Sequence, residues 1–293
     1  MIKKTIGEKM FDIINIIFLC LASLVTIYPM IHVALASFSD GNLLMMHRGL
    51  LFKPQGFSLA AYNAVFNDPI IIKGYLNTIF VVVAGCLISL LLTTFGAYFT
   101  SRKGIHFKRH IMFFIVATMF FSGGLIPFYL TVRGIGLGDS LWAVILPYAI
   151  NSYNLIIMRT AFAGIPDSLE ESAKIDGAND FIVLFRIILP LSMHVIAVML
   201  LYYGVEYWNS WFPAMIFIND SNKFPLQLIL RRILISQEIS SMMQGTQMTD
   251  ESMSVSETIK YATIMVATVP VLCIYPFLQK YFVKGVLIGS VKG

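Results

Sequence analysis

The chain has 293 residues, 57% of them hydrophobic and 13% charged, with a mean hydropathy of +0.77 and a net charge of +5. Soluble domains carry about 25% charged residues, so a soluble enzyme is excluded and a polytopic membrane protein is indicated. The basic residues flank apolar runs and have no nucleic-acid motif around them, so the positive charge reads as membrane topology and not as a nucleic-acid surface.

Runs of about 20 apolar residues, enough to cross roughly 30 Å of hydrocarbon, recur near 11–35, 76–99, 111–132, 141–159, 187–212 and 261–282. The first follows Lys3, Lys4 and Lys9. It is longer than a signal-peptide core and no small-residue cleavage site follows it, so it is expected to be retained. A long segment, about 36–75, leads to the second run, which opens on Asn77 and Thr78. Four basic residues, Arg102, Lys103, Lys108 and Arg109, separate the second and third runs. Gly123, Gly124 and Pro127 in the third run and Pro147 in the fourth predict kinks. Gly134, Gly136 and Gly138 are not a phosphate loop, because no strand precedes them and no Lys-Ser/Thr follows. Asn151, Ser152 and Asn154 interrupt the fourth run, and Glu206, Trp208 and Asn209 lie near the end of the fifth. A second long segment, about 213–260, carries the stretch PLQLILRRILI, with the pattern of an amphipathic helix, and then a polar, Met-rich loop.

Six spans place both termini on one face, and 13 of the 21 Lys and Arg residues fall on that face. Positive residues mark the cytoplasmic side, so the termini and the loop of about 160–190 are expected there. The three cysteines each lie in an apolar run, the five histidines are scattered, and neither a metal site nor a catalytic set is expected.

The cytoplasmic loop is the most organised polar stretch. Pro166 suits the start of a helix, and Ser168 with Glu171 has capping-box spacing. Gly177 supplies the left-handed residue that ends a helix. Beyond it, Phe181, Leu184, Phe185 and Ile188 form an apolar stripe entering the fifth span. Two short helices at an angle make a knob. Its five acidic residues, Asp167, Glu170, Glu171, Asp176 and Asp180, suit a basic or mixed docking partner.

Within Glu171 to Pro190, a glutamate, an alanine two residues on, Gly177, Ile187 and Leu189-Pro190 stand in a fixed order. This resembles the EAA loop of the membrane subunits of ATP-binding-cassette (ABC) importers, with Ser172 in place of the second-position alanine. Together with IPDSLEESAKIDGA and the ending YPFLQKYFVKGVLIGSVKG, it is similar to permeases of the carbohydrate-uptake family, of the maltose-importer small-subunit type. Within that family the resemblance is to the branch importing oligosaccharides such as alginate fragments and oligouronates.

The resemblance implies an all-α fold of type I importer permeases, in the bacterial cytoplasmic (inner) membrane. It implies pairing with a second, homologous permease as a heterodimer, two ATP-binding subunits beneath, and an external solute-binding protein, with ATP and Mg held by the ATPases and no cofactor in this chain. Glu170, Glu171, Ser172, Ala173, Asp176, Gly177, Phe185 and Pro190 would then couple to an ATPase, and the tail residues Ser290, Lys292 and Gly293 would reach between the ATPases.

Polar groups inside apolar spans tend to face a cavity or another helix. Asn77, Asn151, Ser152, Asn154, Glu206, Trp208 and Asn209 are therefore candidates for a glycan path, with Tyr153, Tyr203 and Trp211 as further rings. Helix packing by the amides and interfacial anchoring by the tryptophans is the competing reading. Two rival functions remain at this level. One is a stand-alone channel or ion-coupled transporter using Glu206, which leaves the knob without a purpose. The other is a membrane enzyme, against which stands the lack of a His/Asp/Glu cluster.

Overall fold

The computed structural model describes residues 5–242, 258–274 and 276. Apart from one antiparallel bridge between Ser39 and Phe57, their regular structure is helical. The last three tail residues named above, Ser290, Lys292 and Gly293, lie outside the described residues. Two compact units divide the chain, one of 1–68 with 232–269, the other of 69–231 with 270–293.

In the first unit, α1 (Ile6–Ser37) starts at a capping box: Thr5 Oγ1 accepts from Glu8 N, and Glu8 Oε2 accepts from Thr5 N. Its 32 residues are apolar on every face and expose large side chains such as Phe11, Phe18 and Val25, the character of a helix covered by lipid or by another chain. The following segment folds back onto the end of α1. Tyr28 Oη accepts from Leu51 N at 2.7 Å, Phe38 stacks on Phe57, and Ser37 Oγ pairs with Tyr62 Oη at 2.8 Å. The short helices α2 (Gly41–Met46) and α3 (Ala60–Asn67) lie within it.

The second unit is organised on α4 (Pro69–Ser101). Its buried positions include Gly74, Thr78, Val81, Gly85, Ser89, Thr93 and Ala97, steps of three and four residues that form one stripe of small side chains. Small residues let other helices approach closely, and hydroxyls on the same stripe receive their polar groups. The rings of Tyr203 and Tyr207, on α12 (Met193–Trp208), are buried here. Tyr203 Oη pairs with Thr93 Oγ1 at 2.6 Å and accepts from Asn151 N, while Tyr207 Oη pairs with Ser89 Oγ at 2.8 Å and donates to the Ile145 carbonyl. Tyr203→Phe leaves Thr93 and the Asn151 amide short of a partner, and is expected to cost about 1–3 kcal/mol. A lower midpoint in thermal unfolding of the purified protein checks this.

Helix continuity breaks where the sequence carries Gly and Pro. The expected third span is two helices, α5 (Lys108–Phe120) and α6 (Leu125–Gly134), bent by 115° around 121–124. Gly124 has φ +84° and no other residue type adopts that conformation as cheaply. Pro127 lies in the first turn of α6 and makes no kink there. The expected fourth span comprises α7 (Trp142–Ile145), one 3-10 turn holding Pro147, and α8 (Ser152–Ala163). The expected fifth span is also discontinuous. After α9 (Asp167–Ile175), α10 (Asp180–Val183) runs through a π-helical stretch (Leu184–Ile188) into α11 (Leu189–Leu191), and that stretch meets α12 at 84°. Pro190 has no N–H to give to the Arg186 carbonyl, and the adjacent Leu189 N–H reaches back to the Leu184 carbonyl, five residues away. Beyond α12 come α13 (Trp211–Phe217) and α14 (Leu226–Met242), the latter longer than the amphipathic stretch visible in the sequence, and then α15 (Thr258–Ile274). Among the described residues, two helices, α1 and α4, are long and apolar enough to cross a membrane by themselves, and two bent pairs qualify when each is taken as one span.

Candidate functional site

The polar loop forms the helix-turn-helix knob that its sequence predicts, but it starts differently. Pro166, extended at φ −57°, ψ 132°, is the N-cap of α9. Ser168 is already the second helical residue and makes no capping bond, because a capping side chain must sit on a non-helical residue. Asp167 and Glu170 in the first turn and Lys174 in the last complement the helix dipole.

The end of α9 is a complete Schellman motif. Gly177, at φ +82°, gives its N–H to the Lys174 carbonyl, and Ala178 gives its N–H to the Ala173 carbonyl at 2.9 Å. Asn179 Oδ1 then accepts from Ile182 N and caps α10. Two caps within three residues set the angle of the knob. Behind it, Val183, Leu184 and Ile188 are buried, while Phe181 and Phe185 turn their edges to the Phe95 ring of α4 and stay half exposed.

The acidic residues divide into two groups. Three are tied within the protein: Asp167 to Lys103, Glu170 to Arg102 and Lys174, and Asp180 to Lys174. Burial alone would raise the Glu170 carboxyl, yet hydrogen bonds from Lys174 and Arg102, with their charges, carry it below the ordinary range. Asp167 is lowered chiefly by its hydrogen bond from Lys103. The other two, Glu171 and Asp176, are exposed and make no ion pair among the described residues. Three of the five acidic residues expected to face a partner are therefore paired within the protein, and Glu171 and Asp176 are exposed without an ion pair among the described residues. Ser172, Gly177, Phe185 and Pro190 are exposed with them.

The seven candidate path residues occupy three places. Asn77 Nδ2 donates to the carbonyls of Asn222 and Phe224, fastening α4 to the loop between α13 and α14. Asn151 caps α8 through its Oδ1, Ser152 Oγ pairs with Thr118 Oγ1 at 2.9 Å, and Asn154 is buried. On the last turn of α12, Asn209 Nδ2 donates to the Val205 carbonyl, Trp208 is buried with its Nε1 unpartnered among the described residues, and Glu206 is exposed. Three of the seven, Asn77, Asn151 and Asn209, bond the bundle's own backbone, and Glu206 is exposed without an ion pair among the described residues. No cluster of metal-ligating side chains occurs among the described residues. Arg102, which pairs with the least exposed carboxylate of the knob, was legible in the sequence only as a topology charge.

Just before α7, Asp139 adopts φ +54° and accepts from the amides of Asn219 and Asp220, with Lys223 beside it. These amide bonds hold its carboxyl below the usual range. Close by in sequence, the Arg231 guanidinium lies 3.6 Å above the Trp211 ring.

No family model matches the chain. Across 98% of its length it is 47% identical to a polygalacturonan/rhamnogalacturonan transport system permease protein, YtcP, of Bacillus subtilis (strain 168), 99% of which is covered. It is 41% identical to Protein LplC of the same organism, with 99% of this chain and 97% of that protein aligned. Its fold is similar to a subunit in the crystal structure of a bacterial ABC transporter involved in the import of the acidic polysaccharide alginate, at TM-score 0.87 and 32% identity, covering 96% of this chain and all of that one.

Proposed function

Because the chain belongs to the permease subunits of ABC importers for carbohydrates, as its 47% and 32% identical relatives establish, we propose that it carries acidic oligosaccharides across the inner membrane and is driven through its cytoplasmic knob. The chain is a transport subunit, and ATP and Mg belong to partner ATPases. The knob carries this reading: a helix-turn-helix whose exposed Glu171 and Asp176 make no ion pair among the described residues has the form of a plug for a basic or mixed cleft. Two ATPases, a second permease and an external binding protein complete the assembly. Six crossings are built from α1, α4, the bent pairs, the α7–α8 region and α15. Glu206, and Tyr153 exposed on α8, face the path.

The cargo class rests on two supports. The named cargoes of two relatives are polygalacturonan/rhamnogalacturonan and alginate. Arg231, held on the Trp211 ring at 3.6 Å, supplies an oriented cation for a uronate carboxylate. The test is uptake of labelled oligogalacturonate and of a neutral maltooligosaccharide by the complete complex in proteoliposomes. ATP-dependent, saturable entry of the acidic sugar is expected. Equal entry of the neutral sugar refutes the cargo class, and uptake that persists without ATP returns the stand-alone transporter.

A further inference from the structure

We propose that Arg102 is the positioning residue that transmits movement of the knob to the transmembrane bundle. The proposal rests on the importer reading and goes beyond docking, because it concerns where the motion travels after an ATPase has engaged Glu171 and Asp176.

Arg102 follows the last residue of α4, and each nitrogen of its guanidinium donates one hydrogen bond. Nη1 donates to Glu170 Oε2 on α9 at 2.6 Å, Nη2 donates to the Phe162 carbonyl at the end of α8 at 2.7 Å, and Nε donates to Ser101 Oγ at 3.0 Å. The guanidinium also lies 5.3 Å from the Tyr98 ring centre. One rigid plane thus joins α4, α8 and α9. The side chains of Arg102 and Glu170 are only 11% and 13% exposed, whereas the second tie between α4 and the knob, Lys103 to Asp167, has its side chains 84% and 45% exposed. An exposed pair of flexible side chains yields under load and is screened by salt; the buried one is the stiffer tie. The other Glu170 oxygen takes Lys174 at 2.8 Å, and Lys174 spans the Gly177 turn to Asp180. The chain of contacts therefore continues through both helices of the knob, and α4 passes it to α12 through Tyr203 and Tyr207.

Lysine at 102 keeps the charge but cannot contact three acceptors in one plane, so Arg102→Lys separates charge from rigid attachment. In proteoliposomes containing the complete importer, Arg102→Lys is expected to keep the ATPase subunits bound at wild-type stoichiometry and to lower uptake per ATP hydrolysed at least about fivefold, the lower end of typical coupling between sites. A second variant, Arg102→Cys/Glu170→Cys in a chain with Cys20, Cys86 and Cys273 changed to alanine, is expected to be uncoupled and to regain uptake per ATP when a short bifunctional thiol reagent bridges the pair. Unchanged uptake per ATP in Arg102→Lys overturns the proposal. So does loss of the ATPases from that variant, or a cross-linked pair that stays uncoupled, since either reduces Arg102 to a support of the knob's fold. If the wild-type complex itself binds no ATPase, the importer reading fails instead.

Discussion

Gly177→Val is expected to strip the ATPase subunits from the purified complex while the protein remains folded in the membrane. The φ of +82° at this residue belongs to the left-handed region, where an L-residue pays about 1–2 kcal/mol and a β-branched one more. A Cβ placed on Gly177 would meet no atom within 4 Å. The effect is therefore one of backbone and not of packing, and the bundle behind the knob has no reason to unfold. What is lost is the Schellman turn, and with it the direction in which Asp176 and the end of α9 point. Gly177→Ala, with the smallest side chain in the same conformation, should bind the ATPases weakly rather than not at all. Wild-type amounts of co-purified ATPase with valine at this position would refute the docking surface.

Gly85→Leu should yield no stable protein. A Cβ at position 85 would stand 2.6 Å from the Tyr207 ring, closer than carbon atoms approach without displacement. That ring is 2% exposed and is held at its hydroxyl by Ser89 and the Ile145 carbonyl, so it has no space to turn into. Overpacking costs about 1–3 kcal/mol and occasionally more, and forcing out Tyr207 leaves hydrogen-bonding groups unsatisfied at about 1–3 kcal/mol each. The sum is a large part of the 5–15 kcal/mol by which a typical domain is stable, roughly speaking. Gly85→Ala is expected to be unstable alone and to be rescued in part by Tyr207→Leu, read as monodisperse protein by size-exclusion chromatography. A wild-type yield of Gly85→Leu would mean that α4 and α12 are not apposed as described.

Several local features followed from the sequence because they depend on a few neighbouring residues. The apolar composition required helices, and Gly177 required a turn. Other local signals misled. Ser168 and Glu171 have the spacing of a capping box, yet Pro166 starts the helix and leaves Ser168 inside it. The continuous apolar runs of 111–132 and 187–212 concealed a 115° and an 84° bend, since hydrophobicity alone does not report where a helix stops.

The roles of single polar residues were decided by tertiary contacts. Asn77 and Asn151 have the chemistry of sugar ligands, but the folded chain engages them with its own backbone. Glu170 and Glu171 are identical and adjacent. On a helix they point about 100° apart, so one falls against Arg102 and the other faces outward. By itself the sequence determined a helical membrane chain with a polar, turn-containing loop, because composition and turn preference act over short stretches of chain, and its resemblance to importer permeases added the transport role. Which carboxylates are left for a partner, and which arginine ties the knob to the bundle, only the tertiary structure decided, because those outcomes depend on which residues distant in sequence, Arg102 and Glu170 among them, are brought within hydrogen-bonding distance.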